Sequence, residues 1–192
     1  MKLVFATNNQ NKVNEVQSLL PENITVLSLK DIGCTEDIPE TQPTIEGNAI
    51  QKAQYVKENY GYDCFADDTG LEVHALNDDP GVFSARYAGP QRNADDNMNK
   101  LLQNLEGKQD RSAQFKTVIT LILNGEQHTF PGICEGTIIK EKRGDKGFGY
   151  DPIFMATGFT ETFAQISLEE KNRVGHRGKA VQKLIDFLQH KK

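Results

Sequence analysis

Two long strand-like runs, Ala113–Leu123 and Glu126–Lys140, are separated only by Asn124-Gly125. Both central residues of a two-residue type I′ turn need positive φ, and Asn-Gly is the pair that tolerates it best. The segment therefore predicts a long antiparallel hairpin, and no other feature constrains the fold as much. Around it, strand and helix patterns alternate. Lys2–Ala6 reads as a short buried strand, and Asn11–Leu20 as a helix with Val13, Val16, Leu19 and Leu20 on one side, closed by Pro21. Leu29–Pro43 reads as irregular. Thr44 is placed to cap a second helix reaching about Tyr60. Cys64–Ala66 and Leu71–Leu76 read as two short strands flanking Asp67-Asp68-Thr69-Gly70. A third helix is expected at Ala94–Glu106, a capping box at Ser167 to Glu170, and an amphipathic final helix from about Gly178. An antiparallel hairpin set in a βα order predicts an α/β protein with a mixed sheet, not a doubly wound one.

A chain of 192 residues can form one large core or two small lobes, but not several independent domains. The apolar run after Met1 ends within a few residues at Thr7-Asn8-Asn9, too short for a secretory signal or a membrane span. A cytoplasmic location with no membrane partner is expected. Three widely spaced cysteines (Cys34, Cys64, Cys134) suit buried thiols in a reducing compartment better than disulfides or a zinc site. The formal net charge of −5 disfavours a general nucleic-acid surface. A polyanion can bind only if cations are gathered in one place or a metal assists.

Several segments have the residue types for phosphate chemistry. Thr7-Asn8-Asn9-Gln10-Asn11-Lys12 lies where a strand hands over to a helix, a junction that attracts anions through N–H groups and the helix dipole. The glycines of a Walker A loop are absent, and an Asn-capped polar loop would read the same way. In Asp67-Asp68-Thr69-Gly70, adjacent carboxylates repel unless a cation or proton intervenes. On a strand the two side chains face opposite ways, so only one would reach a given site. The loop Gly144–Pro152 alternates glycine with aromatics, and Phe148 or Tyr150 could stack on a planar base. His176-Arg177, with Lys171 and Arg173 before them, set positive charge against the dipole of the last helix, which hints at an anionic or acceptor-rich ligand. Asn48 and Lys52 share a helix face, an arrangement usually found on solvated surface.

Taken together, these segments resemble the inosine/xanthosine triphosphate pyrophosphatase family. The likeness rests on Ala6-Thr7-Asn8-Asn9-x-x-Lys12, Glu40-Thr41, Asn48-Ala49-x-x-Lys52-Ala53, Ala66–Leu71, Pro80-Gly81-x-x-Ser84-Ala85-Arg86-Tyr87, Cys134-Glu135-Gly136, Gly147–Pro152 and His176-Arg177-Gly178. It spans Leu3 to about Leu188. The resemblance implies one ITPase-like domain over 1–192, an elongated mixed sheet with helices, two lobes about a central cleft, and usually a homodimer. It implies hydrolysis of ITP, dITP and XTP to the monophosphate and pyrophosphate, cleansing the nucleotide pool. Thr7, Asn8, Asn9, Gln10, Asn11, Lys12 and Lys52 would hold the triphosphate, with Arg86 a further candidate. Glu40 and Asp68 would bind Mg²⁺, and Asp68 would be the general base. Thr69 would contact the nucleotide. Phe148, Gly149, Tyr150, Asp151, Lys171, His176 and Arg177 would enclose the base. The family often has Gly where Asn8 stands, and usually Ser where this chain has Gly175; Gly should cap the last helix nearly as well as Ser.

The chemistry implied is attack of water on the α-phosphorus, with the metal neutralising charge. Donors from His176 and Arg177 suit the six-carbonyl of hypoxanthine and xanthine but not the amino group of adenine. Two alternatives are a related pyrophosphatase for modified pyrimidine or methylated nucleotides, and a nucleotide-binding regulator without turnover.

Overall fold

The computed structural model describes residues 1–191. The strands form one six-stranded sheet in the order β2-β1-β3-β4-β5-β6, where β1 is Lys2–Phe5, β2 Thr25–Leu27, β3 Cys64–Val73, β4 Ser112–Leu123, β5 Glu126–Ile138 and β6 Phe154–Ala156. β1 runs parallel to β2 and β3, whereas β5 and β6 are antiparallel, so the sheet is mixed, as expected. The helices are α1 (Gln10–Gln17), α2 (Ile45–Tyr60), α3 (Ala94–Asn104), α4 (Leu168–Val174) and α5 (His176–His190).

Chain packing divides the molecule into two compact units. The first comprises Met1–Asp68, Thr117–Gly132 and the chain from Arg177 onward; the second comprises Thr69–Lys116 and Ile133–His176. Strands β3, β4 and β5 each contribute residues to both.

In the first unit the sheet is buried on both faces, and period-2 alternation sorts its side chains. Leu3, Phe5 and Phe65 share a core with Val16 of α1 and with Ala180, Val181 and Leu184 of α5. Val4, Ala6, Cys64 and Ala66 share the opposite core with Ala53 and Val56 of α2. Phe5 and Phe65 are register partners, and their rings stack with centroids 4.5 Å apart. Burying each such ring is worth about 1.5–3 kcal/mol. Helix α2 begins where Thr44 Oγ1 accepts the Gly47 N–H at 3.0 Å and ends at Gly61, whose N–H bonds the Lys57 carbonyl. Asn124 and Gly125 both have positive φ, so the hairpin turn has the expected chemistry. The second unit packs Leu71, Val73, Met98, Leu101 and Leu105 with a cluster of Phe115, Phe154 and Phe163.

Three expectations are corrected. Cys64–Val73 is one continuous strand, not two, followed by a single 3₁₀ turn at His74–Leu76. Gly70 is not among the glycines with positive φ, so strand pairing carries the backbone straight through Asp67-Asp68-Thr69-Gly70. Helix α1 ends at Gln17, well short of Pro21. Strands β2 and β6, three residues each, had no readable pattern, and α5 starts two residues before Gly178. All three cysteines are buried and free, as expected.

Candidate active site

On β3, Asp67 follows Phe65 on the face covered by α1 and α5, while Asp68 follows Ala66 on the face covered by α2. Each acid therefore meets different cations. Asp67 is fully buried; its Oδ1 accepts from Lys12 Nζ at 3.1 Å, and its Oδ2 from Arg177 Nε at 3.3 Å. Arg177 also donates through Nη1 to Glu15 of α1. Asp68 Oδ2 accepts from Asn48 Nδ2 at 3.4 Å, and its Oδ1 lies 3.9 Å from Lys52 Nζ. Lys52, almost fully buried, donates to Glu40 Oε1 at 2.7 Å and to the Asp67 carbonyl at 2.6 Å.

These contacts drive the two neighbouring carboxyls apart. Burial alone would raise Asp67, but Lys12, Arg177 and Lys52 outweigh it and hold it well below the usual carboxylate range. Burial raises Asp68 above its ordinary value; Lys52 and Lys12 oppose the shift, and Glu40 and Asp67 add to it. Burial opposes charge on Lys52 too, yet Asp68, Asp67 and Glu40 raise its pKa overall. Lys12 is lowered, chiefly by burial, with Asp67 offsetting part of the effect. One Asp is thus fixed as an anion and its neighbour is tuned toward proton acceptance, a division found where acid–base work is done.

Among Lys12, Lys52 and Arg177 against Glu15, Glu40, Asp67 and Asp68, three cations face four carboxylates. Lys12 and Lys52, expected at the phosphates, lie here with Arg177, expected at the base, and the cluster's own acids already engage all three. A triphosphate of about four negative charges would need a further cation here. Glu40 and Asp68 both turn toward one point, the Lys52 ammonium, and offer the hard oxygen donors that suit Mg²⁺. Among the described residues no group of three or more His, Cys, Asp or Glu could hold a metal, so phosphate and water oxygens would have to complete the shell.

At the α1 entrance, Asn9 Oδ1 accepts the N–H groups of Asn11 and Lys12 at 3.0 and 3.3 Å, and the Asn9 N–H bonds Thr7 Oγ1 at 3.1 Å. Two of the helix-start donors expected to meet phosphate are therefore satisfied by the Asn cap. Asn8, Gln10 and Asn11 are exposed and Thr7 half-buried.

The second unit holds the remaining candidates. Asp151 is buried and accepts from Lys171 Nζ at 2.7 Å and from the Phe148 N–H at 3.0 Å. It ties up the Gly147–Tyr150 loop, with both carboxylate contacts directed to its own surroundings. Gly147 is required: φ is +70°, and a Cβ there would lie 2.1 Å from Asp151 Oδ2. Lys171 Nζ also sits 4.8 Å from the centre of the Phe148 ring. Of the two aromatics either of which could stack on a base, Phe148 is the more exposed. Tyr150 is a core residue whose hydroxyl donates to the Ser84 carbonyl at 2.7 Å, while Phe148 is half-exposed and Gly149 lies beside it. His176 is buried flat against Phe115, centroids 4.5 Å apart. Thr69 is half-buried on β3, and the Arg86 guanidinium lies 5.2 Å over the exposed Phe83 ring. Arg177 belongs to the first unit's charge cluster, which explains a cation placed against the α5 dipole: it balances Glu15 and Asp67. Gly175 is more than a cap. Its N–H bonds the Lys171 carbonyl at 2.7 Å, and a Cβ would stand 2.5 Å from that oxygen.

Four contributors were missed or misjudged. Asn48 and Lys52 are buried, not solvated. Glu15 was legible, since it falls beside Val16 and Leu19 on the apolar side of α1, where an acid is costly unless paired. Asp67 was set aside because alternation points it away from Asp68, yet that is what lets it receive Lys12 and Arg177.

The mixed sheet and its buried charge cluster define an α/β protein of the following family. Residues 3–187 match the model of the Ham1 family, and the chain belongs to that family. It is 68% identical to a dITP/XTP pyrophosphatase of Flavobacterium johnsoniae over 188 residues, covering 98% of each chain. It is 66% identical to a dITP/XTP pyrophosphatase of Flavobacterium psychrophilum, covering 99% of this chain and all of the relative. Among solved structures it resembles the Ham1 protein of Staphylococcus aureus, with TM-score 0.92 and 39% identity over the full length of both chains. A HAM1 protein from Coxiella burnetii gives the same TM-score and identity over 99% of both. The resemblance read from the motifs is borne out.

Proposed function

We propose that this protein hydrolyses deaminated purine nucleoside triphosphates (ITP, dITP and XTP) at the α-phosphorus, giving the monophosphate and pyrophosphate. The observation that supports this best is the convergence of Glu40 and Asp68 on the Lys52 ammonium, beside Lys12, with the Asp68 carboxyl raised. Relatives named dITP/XTP pyrophosphatase support the substrate class.

Glu40 and Asp68 would hold Mg²⁺, which when bound supplies neutralisation of phosphate charge and acidification of water. Asp68 accepts the proton of the attacking water; its raised pKa makes it a stronger base than an ordinary carboxylate, and Asn48 fixes Oδ2. Lys12 and Lys52 offset charge on the phosphate oxygens, helped by the polar turn Thr7–Asn11. In the second unit, Phe148 stacks on the base, stiffened by Lys171, and Thr69 contacts the nucleotide. His176 donates to the six-carbonyl, which adenine lacks. Arg177 serves the reaction by holding Asp67 charged and Glu15 balanced, and Asp151 by fixing the Phe148 loop.

A single domain over 1–192 is part of this proposal. A homodimer in the cytoplasm completes the reading. Among the described residues no helix is long and apolar enough to cross a membrane. The test is a substrate profile with Mg²⁺: dITP, XTP, ATP, GTP and dTTP, scored for pyrophosphate, monophosphate and orthophosphate. Preference for dITP and XTP with pyrophosphate release is expected. Orthophosphate release, a preference for dTTP, or no turnover would each overturn the proposal.

A further inference from the structure

The segment carrying Glu40 has no regular structure from Cys34 to Thr44. Among the described residues, no backbone–backbone hydrogen bond involves residues 35–43. Side chains of α2 fasten it instead, from a stripe at i, i+3, i+4 and i+7: Asn48, Gln51, Lys52 and Tyr55. Asn48 Oδ1 accepts the Gln42 N–H at 2.9 Å. Gln51 grips Thr41 twice, Oε1 accepting its N–H and Nε2 donating to its Oγ1, both at 2.9 Å. Lys52 takes Glu40 itself. Tyr55 and Tyr60 donate to Glu36 Oε1 at 2.8 and 2.6 Å, and the Tyr60 bond is the main reason that the Glu36 carboxyl falls to about 2.

A carboxylate on irregular backbone has many positions open to it, and each must be given up before it can act as a ligand. Gln51 is suited to remove that freedom. Its amide matches the donor and acceptor of one residue, and that residue adjoins Glu40. Lys52 contributes a charge that moves with its flexible stem, whereas the two bonds to Thr41 fix the peptide itself.

We propose that Gln51 is a positioning residue, gripping the backbone and hydroxyl of Thr41 so that the adjoining Glu40 carboxylate is set beside Asp68 to receive the divalent cation. This rests on the reading of Glu40 as a metal ligand given above. Groups that orient ligands typically cost about 10–100-fold in metal affinity when removed.

The test compares wild type, Gln51→Ala, Gln51→Glu and Glu40→Gln, each with the α,β-methylene analogue of ITP. Mn²⁺ binding is titrated by electron paramagnetic resonance, and the segment's exposure is read from nicking after Glu36 by a Glu-specific protease. Gln51→Ala is expected to weaken Mn²⁺ about tenfold and to speed nicking, with Tm little changed. In turnover assays its loss falls on the half-saturating Mg²⁺ concentration more than on kcat. Gln51→Glu should recover most of the affinity, because its carboxylate can accept from both the Thr41 N–H and its hydroxyl. If Gln51→Ala folds poorly, Thr41→Val carries the same comparison, with about threefold weakening expected from loss of one grip. Mn²⁺ affinity unchanged in Gln51→Ala (or in Thr41→Val) but weakened in Glu40→Gln would overturn the positioning role and leave Glu40 as a ligand. Affinity unchanged in Glu40→Gln would overturn the ligand reading, and the positioning role with it.

Discussion

Replacing Arg177 with Met should destabilise the protein strongly. The guanidinium is 2% exposed and serves two carboxylates, Asp67 at 0% and Glu15 at 5% exposure. Removing one partner of a buried ion pair typically costs about 3–5 kcal/mol, because the remaining charge stays in the interior. Asp67 keeps Lys12 at 3.1 Å, so Glu15 suffers most and the lower end, about 3 kcal/mol, applies. For a chain of this length that corresponds to a fall in Tm of roughly 6–12 °C. Replacing Glu15 with Gln as well removes the stranded charge, so the double variant should recover about 1–3 kcal/mol relative to the sum of the single losses. A pH signature follows. Asp67 is depressed in the folded state, so its contribution is present above its unfolded pKa and lost as pH falls through the folded value. Without Arg177 the folded value rises, and acid unfolding should begin at a higher pH. Calorimetry from pH 3 to 8 on the single and double variants reads both effects. A loss below about 1 kcal/mol for Arg177→Met, or strict additivity in the double variant, would refute the claim that this buried triad is mutually dependent.

Other consequences are equally concrete. Asp68→Asn should lower turnover by at least about 100-fold while raising stability by about 1 kcal/mol. The sign follows from its raised folded pKa: the benefit of the neutral acid is present below the unfolded value and lost as pH rises through the folded one. The Tm gain should therefore be full at pH 8 and fade toward pH 4; a Tm loss at pH 8 would contradict it. Tyr150→Phe leaves the buried Ser84 carbonyl without its donor at 2.7 Å, so stability should fall by about 1–2 kcal/mol with the KM for dITP unchanged, whereas Phe148→Ala should raise that KM. Gly175→Ser should cost about 1–3 kcal/mol in denaturant unfolding, since its Cβ would stand 2.5 Å from the Lys171 carbonyl; a neutral result would show that this junction yields easily.

What could be read from the sequence follows the range of the forces involved. Asn124-Gly125 fixes its own turn chemistry, and strand alternation predicts that Asp67 and Asp68 face opposite ways; both are local and legible. Strands β2 and β6, at three residues each, exist because a neighbour pairs with them, and no pattern that short survives without the neighbour. Cys64–Ala66 and Leu71–Leu76 looked like separate strands about Asp67–Gly70, but sheet pairing carries the chain straight through. At the site, the residue types were visible while their pairings were not. Lys12 and Lys52 looked like cations waiting for phosphate and Arg177 like a donor to the base, yet each meets a carboxylate elsewhere in the sequence. That balance is what makes the proposed divalent cation necessary to the reading, a need that the composition could only suggest.

The most direct test of the account uses dITP and Mg²⁺ in water enriched in ¹⁸O, with products resolved by ³¹P NMR and mass spectrometry. Attack at the α-phosphorus predicts one ¹⁸O in dIMP and none in the pyrophosphate. Label in pyrophosphate, or dIDP with labelled orthophosphate, would contradict it.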